Sequence, residues 1–168
     1  MSNDSGYVAG IVHHDAFDDL ERCIASLRQQ TARPAAVVVV DTGADPARLA
    51  ALAERHRDVD FLPRPNLGYG AGANYALRWT AEHLPAVPHV LIRNPDVELE
   101  PDFAAVLLRE MALRPRTALA SGKLLRPGGL LLDSAGIRMP RHRRARDRGS
   151  EEPDLGHYDR PELVFGVS

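Results

Sequence analysis

The sequence is poor in the features that usually give a quick identification. Cys23 is its one cysteine in 168 residues, which excludes an internal disulfide and a disulfide-stapled secreted scaffold. Aromatic residues make up only 5% of the chain, thin for platforms that stack nucleic-acid bases. Charge of one sign is also lacking. With 21 basic and 23 acidic residues the net charge is −2, so the chain as a whole does not attract polyanions, and no nucleic-acid partner is expected. Lys123 is the single lysine, and no P-loop Lys-Ser or Lys-Thr pair exists. None of the seven histidines pairs with another at the spacing of a zinc helix. No apolar run approaches the roughly 20 residues of a membrane-spanning helix, and Met1 to Ser5 lack a basic-then-apolar leader pattern. A cytoplasmic, reducing setting is the expectation.

What is present is alternation. Tyr7 to His13 reads as a buried strand, and Phe17, Leu20, Ile24 and Leu27 then recur at helical spacing. Ala35 to Val40 is a β-branched run ending on Asp41. A helix around Pro46 to His56 follows, with Pro46 suited to its first turn. Val59 to Leu62 gives a third strand, after which Pro63 and Pro65 oppose regular pairing. Glycine-rich Gly68 to Gly72 leads into a helix through about His83. His89 to Arg93 is a fourth strand, and Pro101-Asp102 opens a helix with Phe103, Val106, Leu107 and Met111 on its buried side. Leu119 to Ser121 reads as a fifth strand. Gly128-Gly129 between two leucine-rich segments reads as a hairpin, and Pro140 to Pro161 as a long loop without periodicity.

Four strand–helix alternations predict an α/β fold: a parallel sheet with helices on both faces. Ligands of such sheets bind outside the carboxyl ends of the strands. His13-His14-Asp15, Asp41-Thr42-Gly43, Asn66-Leu67-Gly68 and Asn94-Pro95-Asp96 each follow a strand, so four polar clusters converge on one edge. Each also has a plain structural reading. The glycines from Gly68 to Gly72 either admit a phosphate or let a helix pack closely on the sheet. They follow the third strand, whereas a dinucleotide fingerprint follows the first. Asp41 either caps a helix or accepts hydrogen bonds from a ligand. Asn94-Pro95-Asp96 is either a turn or a mount for a hard cation that bridges two phosphates. His56, His83 and His89 read as surface residues, Trp79 as packing, and Cys23 as a small core residue.

Taken in order, the Val-rich strand ending in Asp41, Asn66-x-Gly68 leading through glycines to Asn74, and Asn94-Pro95-Asp96 before Val97-Glu98-Leu99 closely resemble the family 2 glycosyltransferases. The bacterial rhamnosyltransferase-like branch is the nearest in pattern. The resemblance runs from about Val8 to Ser168. It implies a GT-A fold, Rossmann-like, a dTDP- or UDP-sugar donor, and a Mg2+ or Mn2+ ion. By position, His14 and Asp15 stand where the family has tyrosine and asparagine. Asp41 matches the acid that contacts the base, and Thr42-Gly43 replaces asparagine-glycine. Asn66, Gly68, Asn74 and Asn94 match donor-side positions, and Asp96 matches the cation ligand. Arg93 stands where the family often has a small or apolar residue.

The resemblance further implies a single GT-A-like domain over 1–168: a donor-binding core at 7–122, a hairpin-like segment at 123–139, and an Arg- and acid-rich loop with a final strand at 140–168. An inverting transfer needs a base that deprotonates an acceptor hydroxyl. In the family this base lies in an acceptor-side part that follows a strand end like Gly166-Val167-Ser168. The expectation is therefore a chain carrying the donor half, inactive in transfer by itself, with no catalytic base among its residues unless Asp154, Asp159 or Glu162 serves. The expected acceptor is a saccharide or lipid-linked group of the cell envelope or of an exopolysaccharide. Arg138, Arg141, Arg143, Arg144, Arg146 and Arg148 form a basic cluster that reads either as a solvated loop or as a peripheral contact with an anionic membrane face. The competing function is a non-catalytic nucleotide-sugar-binding or assembly module. A nucleotidyltransferase is disfavoured, since no glycine-rich, lysine-bearing segment follows the first strand.

Overall fold

The computed structural model describes residues 6–43, 45–141 and 143–168, which leaves the leader reading of Met1 to Ser5 outside the described residues. The chain divides into two compact units, Met1–Ala105 and Val106–Ser168.

The first unit alternates β1 (Tyr7–His13), α1 (Phe17–Arg28), β2 (Val37–Asp41), α2 (Pro46–Arg55), β3 (Val59–Pro63), α3 (Tyr69–His83) and β4 (His89–Arg93), and α4 (Phe103–Leu113) begins within it. The four strands form one parallel sheet in the order β3-β2-β1-β4. Every residue of β1 and of β2 is buried, as expected of central strands covered on both faces. Alternate side chains serve opposite layers. Val8, Val38 and Val40 pack with Ala76 of α3, whereas His13 meets the ring of Phe17 on α1 edge-on. α3 lies very close to the sheet. A methyl on Gly72 would sit 2.6 Å from Val12 Cγ1, and one on Gly10 would sit 2.8 Å from Ala76 Cβ.

The ends of these helices follow from local chemistry. Asp45 accepts from the backbone N–H of Arg48 at 2.9 Å and Pro46 occupies the first turn of α2. Asp18 and Asp19 lie in the first turn of α1, where the helix dipole favours acids. Gln30, buried at the end of α1, donates to the carbonyl of Glu100 at 2.7 Å and accepts from the N–H of Ala104 at 3.0 Å, so its amide caps α4.

In the second unit, β5 (Leu124–Leu125) pairs with β6 (Leu132–Ser134) around Gly128-Gly129, which are the left-handed residues of the expected hairpin. β7 (Ile137–Arg138), at the end of the hairpin-like segment, pairs with β8 (Arg146–Asp147), a short strand inside the segment read as loop. Lys123 holds Asp154 at 2.6 Å and Asp159 at 2.5 Å, and Arg148 pairs with Glu162 over the Tyr158 ring.

Three local expectations need correction. Leu119 to Ser121 form no strand, and Leu119 is 72% exposed, so the short apolar stretch has no sheet to join. Pro63 closes β3 in register with Asp41 instead of breaking it, because β3 is an edge strand and its last residue need not donate to a ladder. On α4 only Ala104 is fully buried, while Phe103, Val106, Leu107 and Met111 are half-buried.

Candidate functional site

Parallel register fixes the site. His13 is level with Asp41 at the ends of β1 and β2, and Arg93, the last residue of β4, is level with Ile11. The loops that begin with His14, Thr42 and Asn94 therefore leave the same edge of the sheet. The first two are joined. The N–H of Thr42 and its hydroxyl both donate to the carbonyl of His13 at 2.9 Å, and His14 Nδ1 donates to the carbonyl of Thr42 at 3.0 Å. Asp15 adopts a left-handed backbone (φ 55°) and lies so close to Gly43 that a methyl there would meet its Oδ1 at 2.3 Å. A non-glycine residue in that conformation is strained, and such strain collects at functional loops.

Asp41 is buried, and its Oδ1 lies 2.5 Å from His13 Nδ1, itself fully buried. A carboxylate only accepts, so the proton of this bond is on Nδ1. The other ring nitrogen, Nε2, has no partner. Beside Asp41 opens a cleft of about 450 Å³ lined by Gly43, Pro46, Leu49, Phe61 and Pro63 among others. Its side chains are apolar except for Asp41, a chemistry that suits a planar ring with one polar edge.

Farther along the edge, Asn66 folds back so that its Oδ1 accepts from the N–H of Gly68 at 3.1 Å. Gly68 (φ 88°) then turns the chain into α3, whose positive dipole end faces the loop. Asn74, exposed, sits a turn further into that helix. Asn94 and Asp96 are exposed past the end of β4. Burial raises the Tyr69 phenol, and the negative charge of Asp96 adds to this, so the start of α3 and the β4 loop share one electrostatic neighbourhood. Thus His14, Asp15, Thr42 and Gly43 form one connected group and Asn66 with Gly68 another, while Asp96 lies within electrostatic reach of Tyr69. Asp41 turns inward to His13.

Two site features depend on contacts between residues far apart in the chain. Strand-end position groups His13 with His14, but its pairing with Asp41 spans 28 residues and depends on register. Arg93 is 5% exposed and reaches Ser26 at 3.4 Å, with its Nε and Nη2 unpartnered. Burial lowers its pKa and also pushes the nearby Cys23 thiol up to about 11.

Among the described residues no group of three or more His, Cys, Asp or Glu side chains could hold a metal ion. Asp96 offers an exposed carboxylate at the end of β4, while Asp15, also exposed at this edge, belongs to the group joined with Gly43. That donor set fits a hard cation which takes its other ligands from a diphosphate and from water.

The family model for glycosyl transferase family 2 matches residues 9–159. Two curated relatives from Mycobacterium tuberculosis (strains CDC 1551 / Oshkosh and ATCC 25618 / H37Rv) are each 36% identical over 124 residues, covering 69% of this chain. Both are described as N-acetylglucosaminyl-diphospho-decaprenol L-rhamnosyltransferase. The chain spans 40% of their length. Among solved structures, S. aureus TarS is 19% identical with a TM-score of 0.49, covering 71% of this chain and 21% of that one.

Proposed function

The chain belongs to glycosyl transferase family 2, and from that premise we propose that it binds a dTDP- or UDP-sugar at the carboxyl edge of its sheet. The sugar, rhamnose in the reading the mycobacterial relatives favour, is destined for a cell-envelope or exopolysaccharide acceptor. The observation that supports this most is the meeting of strand-end clusters from β1, β2 and β4 at one edge, with buried Asp41 beside an apolar cleft roomy enough for a base.

In this reading Asp41 and Thr42 receive the base, and His14 and Asp15 border the nucleoside. Asn66, Gly68 and Asn74 lie along the donor beside the positive end of α3, and Asn94 stands next to Asp96. Asp96 would hold a Mg2+ or Mn2+ ion, whose charge would stabilise the departing diphosphate. The transfer is an inverting one, and its base lies outside residues 1–168. Asp154 and Asp159 are engaged by Lys123, and hydrogen bonding to that ammonium lowers the Asp154 pKa; Glu162 is engaged by Arg148. A weaker base is a poorer proton acceptor. The same observation favours a second reading, a nucleotide-sugar-binding module without transfer of its own.

The setting proposed is cytoplasmic, with exposed Arg141, Arg143 and Arg144 available to an anionic membrane face. Among the described residues no helix is long and apolar enough to cross a membrane.

Calorimetry with UDP and dTDP, in Mn2+ and in EDTA, tests the site. The unmutated chain should bind more tightly with metal, and Asp96→Ala should bind equally in both. Identical affinity of the unmutated chain in both conditions would refute the metal role. Transfer to a defined acceptor by residues 1–168 would overturn the placement of the base.

A further inference from the structure

Building on the base contact proposed for Asp41, we infer that His13 is a positioning residue. It holds Asp41 as an acceptor-only carboxylate and thereby makes the site select a base with a ring N–H, uracil or thymine, over cytosine. The geometry carries this. His13 Nδ1 and Asp41 Oδ1 are 2.5 Å apart, both residues are almost wholly buried, and Phe17 packs edge-on against the imidazole at 4.7 Å between ring centres. His13 Nε2 has no partner, so the ring makes one hydrogen bond, the one to Asp41. The imidazole is therefore placed for the carboxylate and for nothing else among the described residues.

An isolated buried carboxylate favours its neutral, protonated form, because burial disfavours charge. Protonated, it would present a hydroxyl that can donate. The N–H of His13 at 2.5 Å demands an acceptor and fixes one oxygen of Asp41. Asp41 then meets the cleft with lone pairs only. Uracil and thymine offer N3–H to such a group, and cytosine offers a lone pair at the same ring position, which is repelled. A site that hydrogen-bonds a polar edge rejects the mismatched analogue strongly, because a buried polar group is left unpaired.

The test is calorimetric binding of UDP and CDP, which differ only in that edge of the base, with a thermal melt for each variant. The unmutated chain should prefer UDP. His13→Leu, which removes the donor, should weaken UDP binding about tenfold or more and flatten the UDP/CDP ratio. His13→Met supplies a donor-free, adaptable replacement should the leucine variant not fold. His13→Asn places an amide N–H near the position of Nδ1 and should restore both affinity and ratio. A folded His13→Leu or His13→Met variant with an unchanged ratio, or an asparagine variant no better than leucine, overturns the inference. Failure of the underlying reading looks different: the unmutated chain would bind neither nucleotide, or Asp41→Asn would bind UDP as tightly as the unmutated chain.

Discussion

Replacing Gly72 by alanine asks whether α3 rests as closely on β1 as the structure shows. Two effects oppose each other. Alanine in a helix interior gains about 0.8–1 kcal/mol over glycine. Here the new methyl would stand 2.6 Å from Val12 Cγ1 and 3.2 Å from Cγ2. Val12 is a β-branched residue on a buried central strand, so it has no free rotamer to move into. Overpacking of such a core costs about 1–3 kcal/mol. The clash should win, leaving a net loss of up to about 2 kcal/mol and a fall in Tm of up to about 8 °C for a chain of this size. Gly70 supplies the control in the same helix, since a methyl there meets nothing within 4 Å. Gly70→Ala should hold or gain up to about 1 kcal/mol, the helical preference alone. Urea unfolding of the two variants beside the unmutated chain reads the difference directly. Should Gly72→Ala prove as stable as Gly70→Ala, the close seating of α3 on β1 is wrong, and with it the placement of the glycine-rich loop that leads into α3.

Arg93 leaves two donors unpartnered in a buried position, and unmade hydrogen bonds of this kind cost about 1–3 kcal/mol. Arg93→Met should therefore raise the melting temperature, by about 2–4 °C for each kcal/mol recovered; a fall would show that the guanidinium has a counter-charge. For Cys23, burial favours the neutral thiol and raises its pKa to about 11, so the reactive thiolate is scarce below that pH. Iodoacetamide should alkylate the native chain very slowly at pH 8.5 and promptly once it is unfolded in urea. Rapid native labelling at pH 8.5 would contradict the burial.

The readable parts of the sequence were those where one residue's surroundings are set by its neighbours in the chain. Val37 to Val40 announce a central strand because both faces must be apolar, and Pro46 behind Asp45 announces a helix start because the cap is local. The polar clusters were readable as an edge because parallel strands share direction. What stayed hidden depends on register or on distant partners. That His13 rather than His14 meets Asp41 follows from β1 and β2 pairing His13 with Asp41, which no local pattern encodes. Arg93 stands out in the sequence only as a charge where the family often has a small or apolar residue, and the packing of α1 is what shows it turned inward toward Ser26. Leu119 to Ser121 have the composition of a strand and lack a neighbour to pair with. The engagement of Asp154 and Asp159 by Lys123 joins residues more than 30 positions apart, so composition could not show that both carboxylates meet one ammonium.

The central position of β1 has a kinetic consequence. Its two neighbours are made at very different times: Ala9 pairs with Val37, but Tyr7 pairs with His89, roughly 80 positions later. At a ribosomal rate of about 5–20 residues per second, one edge of β1 waits some 4–16 seconds for β4 after it has emerged. During that interval the apolar run Tyr7 to Val12 presents an open strand edge, the kind of surface that recruits other chains. Long-range parallel pairing is also intrinsically slow, since loop closure precedes the contacts that reward it. Yield in overexpression should therefore depend on how many such chains wait at once, improving with slower initiation, even though the finished sheet keeps β1 wholly covered.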